Sequence, residues 1–248
     1  MSKKDSQPLL SLIMPCYNEE GVIGYTIPRL VQAFEQSGYP LELVACDNGS
    51  TDKTGEMIQE FVDQDLPIVL HKIDVNQGYG NGVLDAVPVC TGDFIGIIPA
   101  DGQIDAEDVV RVYESVARSN GNVIGKVYRR FRLDGPWRIV VTTFYNLFML
   151  ALWPKIGSYD VNGSPKILPR QVLIDMKLES KNWLLDPEIM IKAGYMGVSV
   201  IEMNAFARMR EHGESHVQVS TIWQFISILL RYRFGDKLKK WRNGLEQK

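Results

Sequence analysis

Four short apolar runs, each closed by a polar cluster and parted from the next by a helix-length segment, constrain this chain more than any other feature. Leu9 to Met14 ends at Pro15. Leu41 to Cys46 ends at Asp47-Asn48-Gly49. Ile68 to His71 leads to a glycine-rich turn, and Phe94 to Ile98 ends at Pro99. Runs this short and this uniformly apolar read as strands buried on both faces, as in a parallel sheet. Val22 to Gln36, Asp52 to Val62 and Asn81 to Val87 are the helical segments between them. Asp105 to Ser119 is a further helix, ended by Asn120-Gly121. The alternation predicts an α/β layered sheet with right-handed crossovers.

The second half is less regular. Residues 123–138 hold a dense basic stretch, and Ile139 to Trp153 reads as an apolar helix too short and too polar to span a bilayer. Residues 155–180 carry loop signals and a hairpin or short strand. Asn182 to Ala193 reads as helix, Val198 to Met203 as strand, and the tail from Thr221 as amphipathic helix. With 27 basic and 30 acidic residues the net charge is −3, which argues against a generic nucleic-acid binder. Cys16, Cys46 and Cys90 are odd in number and far apart. They fit no zinc spacing or disulfide framework and read as small buried hydrophobes in a reducing compartment. The polar N-terminus lacks the apolar core of a signal peptide.

In open α/β sheets, ligands bind beyond the carboxyl ends of the strands. Here those ends read Pro15-Cys16-Tyr17-Asn18-Glu19-Glu20, Asp47-Asn48-Gly49-Ser50-Thr51-Asp52, Asn76-Gln77-Gly78-Tyr79-Gly80-Asn81-Gly82 and Ala100-Asp101-Gly102-Gln103. Each alone is explained by turn and cap chemistry; four in succession point to a site. The third is no dinucleotide fingerprint, since it follows the third strand and is spaced Gly-x-Gly-x-Gly.

This succession resembles the family 2 glycosyltransferases, and among them the polyprenyl-phosphate sugar transferases of the dolichol-phosphate mannose synthase type, over residues 9–217. The resemblance implies the GT-A fold, a Rossmann-like, mostly parallel sheet flanked by helices. It implies a glycosyltransferase domain over 1–220 and an amphipathic, basic C-terminal helix over 221–248. It implies that Pro15, Tyr17 and Glu19 line a nucleoside pocket and that Asp47 faces the base, with Asn48 where many relatives have a second Asp. A carboxylate at a strand end can accept from a base N–H, and the adjacent glycine lets the ring approach. Asp101 and Gln103 are the implied ligands of Mg²⁺ or Mn²⁺. Two oxygen donors two residues apart on an extended segment point the same way, and leave positions for a diphosphate. Relatives usually have Asp-Ala-Asp here; this chain has Pro99-Ala100-Asp101, one carboxylate fewer.

The resemblance also implies arginines for the acceptor phosphate and donor diphosphate. Arg129, Arg130 and Arg132 are the candidates, with more than one alignment open, and Arg138 fits better. Arg210-Glu211-His212-Gly213-Glu214-Ser215-His216 resembles a loop that closes over nucleotide in relatives, so Arg210 and Ser215 are expected to reach phosphate. Asp160 to Lys166 is expected to form part of the acceptor-side wall. Asp101, Arg138 and Arg210 are the implied catalytic groups.

The implied reaction is inverting transfer from a GDP- or UDP-sugar to a polyprenyl phosphate. A phosphate acceptor is already anionic and needs no base, whereas a hydroxyl acceptor needs a carboxylate within reach. Asp186 and Glu188 are the candidates for that alternative. Asp186-Pro187 equally reads as a helix N-cap with Pro in the first turn, and Glu188 as a first-turn acid. A lipid acceptor calls for attachment to the cytoplasmic face of a membrane. The apolar residues Trp223 to Phe234 run into Arg231, Arg233, Lys237, Lys239, Lys240 and Arg242, the pattern of an interfacial helix. Ile139 to Trp153 offers a second surface, and an integral membrane partner remains open. A sugar-phosphate nucleotidyltransferase would want a basic, glycine-rich first loop, and this one is acidic. A non-catalytic relative is the reading Pro99 would support.

Overall fold

In the computed structural model the four apolar runs are β1 (Leu10–Cys16), β2 (Leu41–Asn48), β3 (Ile68–Ile73) and β4 (Phe94–Ile97). They form the parallel part of a seven-stranded sheet of order β3-β2-β1-β4-β6-β5-β7. The structure describes residues 9–119, 121–132, 136–207 and 219–245, with backbone alone for 130–132, 136–138, 207 and 219–223. The helices after the first strands are α1 (Glu20–Ser37), α2 (Thr54–Asp63), α3 (Tyr79–Ala86) and α4 (Ala106–Ala117). Successive strand residues serve opposite layers, as the two-residue period requires. Leu10, Leu12, Met14 and Cys16 join the core under α1 and α4, while Ile13 joins the core on the other face. All three cysteines are free and buried.

The basic stretch is itself a strand, β5 (Val123–Arg132), followed by α5 (Pro136–Leu152). β6 (Lys166–Pro169) is only four residues long. It lies antiparallel between β4 and β5, the exception in an otherwise parallel sheet. α6 (Arg170–Met176) occupies a stretch the sequence presents as loop and strand; its seven residues are too few to show a helical period. α7 (Leu185–Met196) and β7 (Ser199–Ala207) follow, β7 running parallel to β5 at the sheet edge.

The C-terminal helix expected as one is two: α8 (Val219–Phe234) and α9 (Asp236–Leu245), parted at Gly235. A Cβ at Gly235 would stand 2.4 Å from the Arg231 carbonyl oxygen, which accepts the Gly235 N–H at 2.8 Å. Leu229, Tyr232 and Leu238 are buried with the residues of α5 and α7. Arg233 donates to the Leu152 carbonyl at 3.0 Å, capping the last residue of α5. Among the described residues no helix is long and apolar enough to cross a membrane.

Candidate active site

β1 and β2 end level with each other, Pro15 beside Cys46 and Cys16 beside Asp47. The loops that follow are sewn together by hydrogen bonds. Asn18, at φ +55°, accepts from Thr51 N–H at 2.8 Å on its side-chain oxygen, and its own N–H donates to the Ser50 hydroxyl. Glu19 N–H donates to the Thr54 hydroxyl at 2.8 Å, and Glu20 accepts from Lys53 N–H at 3.0 Å. Asp52 accepts from Glu20 and Thr54 N–H. Burial works to raise its carboxyl, but these bonds and the Thr54 hydroxyl hold it below the usual range. Tyr17 is half exposed beside this scaffold. Asp47 is buried, its Oδ1 accepting Ser50 N–H at 2.9 Å. A Cβ at position 55 would lie 2.4 Å from its Oδ2, so Gly55 is what lets α2 pack over this carboxylate. Asn48 donates to the Gly78 carbonyl at 3.1 Å, while its buried Oδ1 has no partner.

Asp101 follows β4 on a turn. Its Oδ1 accepts Gln103 N–H at 3.2 Å across Gly102, which has φ +62°. The Ala100 carbonyl accepts from the Thr26 hydroxyl, fixing the turn on α1. Among the described residues no group of three His, Cys, Asp or Glu gathers as a ready-made metal site. Asp101 and Gln103 lie on a turn and not on the extended segment expected from the sequence, so strand alternation does not align their oxygens; as donor types, one carboxylate and one amide oxygen suit a divalent ion that completes its shell from diphosphate and water, the habit of Mg²⁺.

The structure brings further residues to this edge that the sequence did not single out. The Tyr79 hydroxyl hydrogen-bonds Asp186, and its ring stacks on Trp183 with centroids 4.9 Å apart and planes 8° apart. Burial, with the Asp186 and Asp101 charges adding to it, pushes that hydroxyl well above its ordinary range. Tyr145, on α5, donates to Asn162 at 3.2 Å. Tyr79 begins α3 in a run that reads as turn chemistry, and an isolated Trp in a loop carries no period; neither gives a signal in one dimension.

The two candidate bases are both engaged. Asp186 pairs with the fully buried Lys166. It is the second residue of α7, not its cap, because the helix begins at Leu185 after a turn in which Asn182 accepts Leu184 N–H at 2.9 Å. Glu188 is 1% exposed and pairs with Lys192 at 2.7 Å. It also accepts from Glu179 N–H, from Ser180 N–H at 2.9 Å and from the Tyr232 hydroxyl at 3.3 Å.

Lys126, read with the basic stretch, points inward instead. Fully buried, it reaches Glu202 at 3.0 Å and Ser158 at 3.2 Å and also donates to the Asp160 carbonyl. Burial and the neighbouring Lys166 lower its ammonium to about 8, against the raising effect of Asp160 and Glu202. Arg129 grips Asp160 with two bonds of 2.8 Å. Burial would raise the Asp160 carboxyl, but that fork and Lys126 drive it far below the usual range. Arg130 and Arg132 lie on β5 and Arg138 in the first turn of α5, their side chains outside the described ones. Arg210 and Ser215 lie outside the described residues altogether.

The model of the family described as glycosyl transferase family 2 matches residues 11–176, two thirds of the chain. The chain belongs to glycosyltransferase family 2. This glycosyltransferase is 25% identical over 220 residues to an uncharacterized glycosyltransferase of Mycobacterium bovis, covering 89% of this chain and 94% of that one. It is 25% identical over 232 residues to the dodecaprenyl-phosphate galacturonate synthase of Rhizobium johnstonii, covering 93% and 68%. It is 28% identical over 141 residues to an undecaprenyl-phosphate 4-deoxy-4-formamido-L-arabinose transferase of Pectobacterium carotovorum, covering 56% of this chain but 42% of that protein. Its fold is that of the glucosyl-3-phosphoglycerate synthase of Mycobacterium tuberculosis, crystallised with Mn²⁺, uridine diphosphate and glucosyl-3-phosphoglycerate. The TM-score is 0.71 at 17% identity, over 92% of this chain and 80% of that one. The mannosyl-3-phosphoglycerate synthase of Rubrobacter xylanophilus superposes at a TM-score of 0.72 and 18% identity, over 94% and 74%.

Proposed function

We propose that this glycosyltransferase moves a sugar from a nucleoside diphosphate sugar to a polyprenyl phosphate, with inversion. A phosphate oxygen of the acceptor attacks the anomeric carbon. The bond from that carbon to the donor's diphosphate breaks, and the nucleoside diphosphate leaves with the electron pair. No proton need be removed from the attacking group.

The observation that carries this reading is the state of the two candidate bases. Glu188 and Asp186 are both buried and both spent on lysines. A hydroxyl acceptor would need one of them free to take a proton, and a phosphate acceptor needs neither. The names of the Rhizobium and Pectobacterium relatives support the same acceptor class.

Pro15, Tyr17, Glu19 and Asp47 would hold the nucleoside. Asp101 and Gln103 would hold Mg²⁺ or Mn²⁺, which when bound offsets the charge of the departing diphosphate. Arg129 is fixed by its two bonds to Asp160, which would make it a rigid part of the acceptor wall, with Arg130, Arg132 and Arg138 near it in the chain. Arg210 and Ser215 would complete the grip on the donor. Val140, Phe144 and Leu147, all exposed, follow one another at helical spacing on α5, with Ile139 beside them. That stripe would meet the bilayer surface peripherally, leaving the sheet edge at the level of the lipid phosphate.

The test incubates the full chain with a short-chain polyprenyl phosphate and a panel of labelled GDP- and UDP-sugars, with Mg²⁺, Mn²⁺ or EDTA. Label is counted in the organic phase. Transfer from one donor, lost in EDTA, is expected. Binding or slow hydrolysis of a donor without lipid-linked product would move the acceptor to a hydroxyl compound.

A further inference from the structure

Trp183 is 67% exposed although one face of its indole is covered by Tyr79. The exposure therefore belongs to the opposite face and its edges. Both rings are held rigidly. Tyr79 follows Gly78, at φ +107°, and its hydroxyl is tied to Asp186. The loop carrying Trp183 is fastened at several points. Glu188 accepts the N–H groups of Glu179 and Ser180, Lys192 donates to the Lys177 carbonyl at 2.8 Å, and the Lys181 carbonyl accepts Asn81 N–H at 2.9 Å. Folding gains little from an aromatic face left in water. A face preorganised in this way loses little entropy when a ligand covers it.

Its location indicates which ligand. Asn48, beside Asp47 at the end of β2, donates to the Gly78 carbonyl at 3.1 Å, so the stack that begins at Tyr79 stands on the strand-end edge where the donor would be held. What is attached to the donor's diphosphate is a hexose. Its C–H face is apolar while its hydroxyl rim can stay in water, which matches a flat aromatic face left open to solvent. An isoprenoid chain has no polar rim, and the apolar stripe on α5 suits it better.

We propose that Trp183, propped on Tyr79, is the surface on which the donor's hexose ring stacks. This rests on the donor half of the function proposed above and not on the acceptor. Trp183 is a binding residue for the sugar; Tyr79 and Glu188 are positioning residues that act through it.

The experiment titrates the full chain, as wild type, W183F and W183L, with UDP-glucose, UDP-galactose and GDP-mannose, and with free UDP and GDP. Binding is read by calorimetry and by intrinsic fluorescence. Because Trp183 is exposed, both variants are expected to fold; near-UV circular dichroism and the urea midpoint check this. For whichever nucleotide sugar the wild type binds, W183L should weaken binding about tenfold and W183F about threefold or less. Affinity for the matching free nucleotide should stay within about twofold. The wild-type fluorescence should change with the nucleotide sugar more than with the free nucleotide, and W183F should abolish the difference. Equal weakening of sugar and free nucleotide, no weakening at all, or an effect confined to the KM of the lipid acceptor would each overturn the platform while leaving the donor assignment standing. A wild type that binds none of the five would overturn both.

Discussion

Asp186 shows how a residue acquires its role from what it faces. In the sequence it is an acid before a proline; in the fold it neutralises Lys166, a fully buried ammonium on the middle of the sheet. Lys166 stands opposite Lys126 in the β5–β6 register, so two buried cations share one rung, one answered by Asp186 and the other by Glu202. Removing one member of such a pair leaves an uncompensated buried charge. Asp186→Asn should therefore cost about 3–5 kcal/mol in urea unfolding, and adding Lys166→Met should recover most of it. If the single variant loses turnover but no stability, Asp186 is acting as a base and the phosphate-acceptor reading is wrong.

At the scale of elements, the decisive contact joins the turn at the start of α3 to the loop before α7. A Cβ on Gly80 would lie 2.2 Å from the Ser180 carbonyl oxygen and 2.8 Å from that of Asn182, both backbone atoms with little room to give. Gly80→Ala should displace this loop and cost about 2–3 kcal/mol, measurable as a lower urea midpoint, and should weaken nucleotide-sugar binding with it. The α5 stripe can be tested separately. Phe144→Ser with Leu147→Ser should reduce co-sedimentation with anionic vesicles while leaving nucleotide binding unchanged, since both side chains are exposed. Undiminished vesicle binding would move the membrane face to the basic tail.

For the molecule as a whole, the buried thiols set the alkaline limit. Burial pushes Cys46 and Cys90 up to about 12 and Cys16 well above its ordinary value. In the unfolded chain thiols ionise near ~8.5. Between those values the unfolded state has released protons the native state still holds, so each thiol makes stability fall as pH rises. Lys126, lowered to about 8, has the opposite sign: above that pH the unfolded chain keeps a proton the native state has lost. Three thiols outweigh one ammonium, and the buried hydroxyls of Tyr79, Tyr113, Tyr145 and Tyr232, also held above their ordinary range by burial, add to the thiols as pH nears 10, so stability falls as pH rises from about 9 to 10. Urea unfolding at steps from pH 7.5 to 10 measures this slope. Cys90→Ala should make the slope shallower by about one proton; a slope unchanged by that substitution would place the effect elsewhere.

The parallel half of the sheet was legible because Leu10 to Met14, Leu41 to Cys46 and Phe94 to Ile97 contribute to the cores on both faces, and a doubly buried strand must be mostly apolar, here with only Ser11 and Glu42, which bond each other, as charged or hydroxyl-bearing exceptions. The polar residues at those strand ends were legible for the same reason: they break an apolar pattern where no core requires it. What the tertiary structure alone decided lies where pattern is short or charge misleads. β6 and α6 are too brief to show a period. Lys126 looks like a surface cation and becomes a buried one, because only the fold brings Glu202 and Asp160 against it. Asp186 and Glu188 look alike as acids, but Lys166 on β6 answers the first, while Lys192, one turn further along α7, answers the second. Trp183 has no sequence neighbour to explain it; its meaning comes from Tyr79, more than a hundred residues earlier, which the sheet's crossovers carry to the same edge.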